Sequence, residues 1–194
     1  MSFFPEWFDR LMALITPTVI LATIGVSVSL ITFFYQRKQL QLRGLVEVVR
    51  DLHLPAHREA RNIAYHGKRA ISPETFGILG LEPEDTDQAI KLSQEIIRND
   101  LNNAATLIRH RLVNESIFLQ EYWWIVLRTW DSLKVDILAR RNAEDGSSEY
   151  MLSLEKLKDK AEKYASKHHR KDFEDYKKKY RPETGPVKGN RINE

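Results

Sequence analysis

There is no cysteine in these 194 residues. That removes disulfides, thiolate zinc sites, iron–sulfur clusters and cysteine nucleophiles together. Glycine is scarce, with 8 in all. No G-x-G-x-x-G, P-loop or G-x-S-x-G pattern occurs, so neither a glycine-rich phosphate cradle nor a nucleophile elbow is available. No stretch alternates with period two for long, which argues against a sheet. Charge is missing from Leu11 to Gln36, a run of LMALITPTVILATIGVSVSLITFFYQ.

That run is the first positive signal. A membrane-crossing helix needs about 20 apolar residues, at roughly 1.5 Å of rise each. Phe3, Phe4, Trp7 and Phe8 precede the run, and Phe33, Phe34 and Tyr35 close it, as an aromatic belt at each water interface would. A cleaved signal peptide would begin with net positive charge and have a shorter apolar core. Here Glu6 and Asp9 stand against Arg10, so a retained span over 11–36 is expected. Arg37, Lys38, Arg43 and Arg50 follow it, and basic residues beside a span stay cytoplasmic. The expected topology has residues 1–10 outside and the rest inside, at the cytoplasmic membrane. Gly25 and Ser29 form a small-xxx-small pair that suits close approach of two such helices in the bilayer.

The net charge of +3 hides an asymmetry. Residues 37–69 and 167–193 are basic, and 70–147 are acidic. Residues 37–166 read as a stalk and a small helical domain, with Leu40, Leu42, Leu45, Val46, Val48 and Val49 giving the stalk an apolar side. Pro55 suits a first helical turn and Gly67 a stop. Residues 71–85, with two prolines and two glycines, read as a loop. A long helix over 86–113 follows, carrying Ile90, Ile97, Leu101, Ala104, Ile108 and Leu112 on one face. Asn114 is placed to cap the next helix, which runs to Arg141, and Val113 and Phe118 to staple its start. A third helix is expected over 148–166. The segment 167–194 reads as a basic tail, partly disordered, with a short helical extension through Phe173 and Tyr176. The fold class is all-α.

LQEYWWIVLRTW, residues 119–130, holds three of the four tryptophans. Leu119, Trp123, Val126, Leu127, Trp130, Leu133 and Ile137 share one helical face, so Trp123 and Trp130 are expected in the core. Trp124 is turned about 100° from Trp123 and shares its side with Arg128, making these two a candidate partner or membrane surface. Lys177, Lys178 and Lys179 are a second such candidate, toward acidic headgroups. Nucleic acid ranks last among the expected partners, after the bilayer, a second copy and a cytoplasmic protein.

RNIAYH, Arg61 to His66, matches the R-N-x-x-x-H form of the HEPN ribonuclease motif. The resemblance implies a dimeric RNase in which histidine moves protons and arginine stabilises phosphate charge. In that family the motif stands late in the bundle, whereas here it follows the stalk, and structural use of Arg61 and His66 is the favoured expectation, with Glu95, Asp100, Glu115 and Glu121 of the long helices as carboxylate partners for the arginine. His53 and His57 are four apart, but Pro55 between them interrupts a shared helical face. No metal and no cofactor are expected.

From NDLNNAATLIRHRLVNESIF onward the chain resembles a bacterial and archaeal family of membrane-anchored helical proteins of unknown function. The resemblance rests on Leu107-Ile108-Arg109, Val113-Asn114-Glu115, Trp124 to Trp130 and Arg140-Arg141. It implies a single N-terminal span and a cytoplasmic helical domain. The layout is also similar in outline to HEPN-like membrane effectors of antiphage defence. A non-enzymatic anchor that binds itself or a partner is therefore the first expectation, and an oligomeric effector, pore or ribonuclease, the second.

Overall fold

A computed structural model describes residues 6–82 and 85–181, with side chains described for Arg10 and from Pro17 onward. Among them there is no strand. The helices are α1 (Glu6–His53), α2 (Pro55–His66), α3 (Pro73–Leu79), α4 (Thr86–Arg109), α5 (Glu115–Arg141), α6 (Leu152–His168) and α7 (Arg170–Tyr180), with a 3-10 turn at Gly67–Ala70. The chain divides into two compact units, residues 1–43 and 44–194.

The first unit is helical from Glu6, with Pro17 inside the helix. Its best apolar window reaches a mean hydropathy of 2.0 and none of that window is buried. Among the described residues α1 is the one helix long and apolar enough to cross a membrane. Val19, Leu21, Ile24, Leu30, Ile31 and Phe34 all face outward. The hydroxyls of Thr23, Ser27 and Ser29 each donate to the carbonyl four residues back, at 2.8 Å. Such bonds let a polar side chain sit in apolar surroundings without water. At the far end Phe33 and Phe34 meet edge-on, and Gln39 donates to the Tyr35 hydroxyl at 2.9 Å. The aromatic side chains of Phe3, Phe4, Trp7 and Phe8 lie outside the described residues.

The second unit opens with the last turns of α1. Val48 and Leu52 are buried in the core and Leu45 packs against it, but Leu42 and Val46 face outward, as does Leu40 just before. The stalk's buried stripe is thus narrower than its apolar composition suggests. Gly44 makes a close approach possible: a Cβ there would meet the Leu112 carbonyl oxygen at 2.5 Å.

Pro55 starts α2 and Gly67, at φ 66°, ends it, as expected. Residues 71–85 differ from the loop expected of them, because α3 forms there. Ser72 and Thr75 exchange a capping box, Pro73 stands in the first turn where no amide is needed, and Gly80 closes the helix in the left-handed region. Helix α4 stops at Arg109, short of Val113. The amide of Arg111 donates to the Ile108 carbonyl and that of Leu112 to Leu107, with Arg111 at φ 60°. This is a Schellman termination built on arginine where glycine is usual, and it leaves Leu112 exposed, not on the core stripe. Asn114 then caps α5 by accepting from the Ile117 amide, with Val113 and Phe118 buried on either side.

The core forms where α5 meets α4 and α6. Leu119, Trp123, Val126, Leu127, Trp130, Leu133 and Ile137 of α5 are all buried. They join Ile97, Leu101, Ala104 and Ile108 of α4, and Leu154, Leu157, Ala161 and Ala165 of α6, in one cluster. Each large apolar side chain so buried contributes about 1.5–3 kcal/mol. Helix α2 packs on α4 and α5, and α7 on α6. Residues 170–180, at the head of the expected basic tail, are therefore helix α7, whose Phe173 and Tyr176 complete the core. Residues 182–194, expected to be disordered, lie outside the described residues.

Candidate functional site

The sequence singled out Arg61 and His66, and α2 carries both. Arg61 reaches back to α1, where its guanidinium donates to the Leu52 carbonyl. Leu52 stands in the last turn of α1, whose carbonyls have no partner within the helix. The arginine thus caps α1 from outside and places a cation at the negative end of its dipole. Burial lowers the Arg61 pKa from the ordinary arginine value, partly offset by Tyr65 and Asp100. His66, five residues on and about 140° around the helix, is exposed. Its Nδ1 lies 3.0 Å from the Asn62 carbonyl oxygen. The two side chains are engaged at different places.

Asp100, expected among the carboxylate partners of Arg61, is taken by His57, whose Nδ1 lies 2.7 Å from its carboxylate. Burial raises the Asp100 pKa, with the His57 hydrogen bond acting against it. His53 sits across from the Tyr122 hydroxyl at 3.2 Å, so the two histidines serve different neighbours. Among the described residues no three His, Asp or Glu side chains are gathered so as to share an ion.

On α5, Trp123 and Trp130 are 8 % and 7 % exposed and Trp124 is 47 % exposed, the division expected from helical phase. Trp123 stacks on His169 and meets Phe173 and Tyr176 edge-on. Arg128, paired with Trp124 in the sequence reading, is committed within the fold. Its guanidinium lies 3.6 Å from the Tyr180 ring centre and 5.4 Å from that of Tyr65, and donates to the Tyr65 carbonyl. Beside it, Asp131 receives both the Tyr176 hydroxyl at 2.6 Å and Arg181 Nε at 2.7 Å. Arg181 also bonds Glu162 of α6. Burial and the Asp131 carboxylate push the Tyr176 phenol up. Burial pulls Arg181 down, but its bonds to Asp131 and Glu162 outweigh that and leave it above the ordinary arginine value.

This clasp was not legible in the sequence, because Asp131 and Arg181 are far apart in the chain and Arg181 read as part of a basic, partly disordered tail. Those lysines do lie on the surface of α7. Lys177 pairs with Glu174 at 2.7 Å and Lys178 with Asp175 at 3.8 Å, while Lys179 lies over the Tyr180 ring. The arginine pair that ends α5 is likewise engaged: Arg140 holds Asp136, and Arg141 holds the Tyr150 carbonyl and Glu155.

The family described as Domain of unknown function (DUF4760) matches residues 19–161. The chain belongs to that family. The match takes in most of the apolar run of α1, from residue 19, and all of α2 to α5, and ends inside α6. No curated protein and no solved structure matches the chain.

Proposed function

We propose that this family member is a single-pass anchor that holds a non-enzymatic helical module at the cytoplasmic face of the membrane, where it binds a second copy of itself or a protein partner. The observation that carries the reading is the exposure of the apolar stretch of α1 from Pro17 to Gln36. Water would make so long an apolar helix costly, and lipid makes it favourable. The self-satisfied hydroxyls of Thr23, Ser27 and Ser29 support the same medium. Arg37, Lys38, Arg43 and Arg50 support a cytoplasmic second unit.

Two features support self-assembly. A Cβ added at Gly25 would meet nothing within 4 Å, and the Ser29 hydroxyl is folded onto the Gly25 carbonyl, so the small-residue flank is open to another helix. On α5, Ile117, Trp124, Val135 and Leu138 are exposed and fall on one side, because steps of seven and eleven residues each return to within about 20° of the starting phase. Structural use of Arg61 is supported by its bond to the end of α1, which favours a binding module over the effector reading.

A reporter active only in the cytoplasm, fused after Glu194, tests the orientation. Activity is expected there. A reporter active only outside the cytoplasm and working at that position would overturn it.

A further inference from the structure

We infer that Arg37, Lys38 and Arg43 form a collar on α1 that takes acidic phospholipid headgroups; this rests on the anchor reading above and adds the class of lipid. The three side chains are exposed and enter no ion pair among the described residues. From Leu11 to Val46 there is no aspartate or glutamate, so this stretch holds no carboxylate to neutralise them. At about 100° per residue, Lys38 lies roughly 100° and Arg43 roughly 240° around the helix from Arg37. The cations therefore ring the helix instead of lining one side. They span about 9 Å along it, comparable with one headgroup layer of roughly 5–8 Å. Residues 17–36 measure about 30 Å, which matches the hydrocarbon thickness and puts Arg37 at its edge.

The neighbouring side chains fit the same depth. Phe33 and Phe34 meet edge-on, and the Tyr35 hydroxyl accepts from Gln39, an aromatic group of the kind that settles at headgroup level. Leu40 and Leu42 are exposed between the cations. Leucines among unpaired cations suit neither bulk water nor hydrocarbon. They suit the boundary, where arginine and lysine stems lie along acyl chains and the charged ends reach phosphate. Guanidinium groups match the paired oxygens of that phosphate. A zwitterionic lipid carries its own ammonium beside the phosphate, whereas an acidic lipid leaves a net negative charge for the collar to meet. Each basic residue near an acidic surface favours it about fivefold. The lysines of α7 are weaker candidates, because they are engaged: Lys177 pairs with Glu174 and Lys178 with Asp175, while Lys179 lies over Tyr180. Arg50 pairs with Asp51 and is left out of the collar for the same reason.

Native mass spectrometry of the full chain, released from a nonionic detergent at constant ionic strength, measures bound lipid. The probes are phosphatidylglycerol and phosphatidylcholine with the same acyl chains. Phosphatidylglycerol should bind about tenfold or more tightly than phosphatidylcholine. R37Q with K38Q and R43Q should reduce that preference to less than about threefold, since glutamine keeps the helix and removes the charge. K177Q with K178Q on α7 should change it by less than about twofold. Should the triple variant lose helical content by circular dichroism, R37Q alone is read, with a loss of about threefold expected. Flotation of the full chain with vesicles of pure phosphatidylcholine tests the anchor itself. Flotation together with equal binding of the two lipids would overturn the collar and leave the anchor standing, whereas a chain that stays out of the vesicles would overturn both. Equal loss in the α1 and α7 variants would also overturn the collar.

Discussion

Residues 17–36 and helix α5 are built from similar apolar side chains, yet the structure uses them in opposite ways. Along α1 the valines, isoleucines and phenylalanines all face outward. On α5 an apolar stripe is buried, and a second side mixes charged residues with the exposed Ile117, Trp124, Val135 and Leu138. The difference lies in the pattern. The α1 run has no polar side to turn toward water, and no other helix among the described residues covers it. The α5 stripe recurs at helical spacing and finds α4 and α6 to cover it. One region leaves its apolar surface uncovered within this chain, and the other makes its own apolar interior.

The tryptophans offer the strongest way to break that comparison. Trp123→Ala or Trp130→Ala should each destabilise the second unit by about 3–5 kcal/mol, as large-to-small core changes do. Trp124→Ala should cost less than about 1 kcal/mol, because its side chain is exposed. Thermal unfolding of the three variants in detergent checks this. Equal losses would mean that α5 does not present the face described.

Helical phase was legible because the buried side chains of α5, from Leu119 to Ile137, recur at helical spacing. Other features were not. Helix α3 hides in a proline- and glycine-rich stretch, and its capping box uses Thr75 where glutamate or glutamine would have announced it. The end of α4 came early because Arg111 adopts a conformation usually signalled by glycine. Arg61 was expected to face carboxylates, but a backbone carbonyl at a helix end leaves no mark in side-chain patterns.

The clasp on α7 sharpens the boundary of the bundle. Asp131→Ala strands the Tyr176 hydroxyl and weakens the hold on Arg181. A cost of about 1–3 kcal/mol is expected from the unsatisfied groups. If α7 were a loosely attached tail, the melting temperature would not move.

Arg61 and His66 give a smaller contrast. Removing the arginine takes away the side-chain cap of α1, at about 1–2 kcal/mol. His66→Ala should stay within about 0.5 kcal/mol. Comparing the two melts tests the structural assignment, and RNA cleavage by the purified wild type that vanishes in both variants would contradict it.

The smallest effect concerns pH. Burial raises the Asp100 pKa in the folded state above its unfolded value, the His57 bond opposing this only in part. The folded state therefore holds that proton more tightly. Its stabilising contribution is fully present below the ordinary aspartate range and is lost as pH rises through the folded pKa. The melting temperature of wild type minus that of Asp100→Asn should fall as pH rises through and just above the ordinary aspartate range. A difference that rises over this window would reverse the sign.

The central claim is that α1 places residues 17–36 in lipid while the unit from Gly44 onward folds in water. Washing isolated membranes with alkaline carbonate tests it most directly, using the full chain beside a chain that begins at Gly44. The account predicts that the full chain stays in the membrane pellet and the shortened chain is recovered in the soluble fraction with its helical content intact. Release of the full chain by the wash would contradict it.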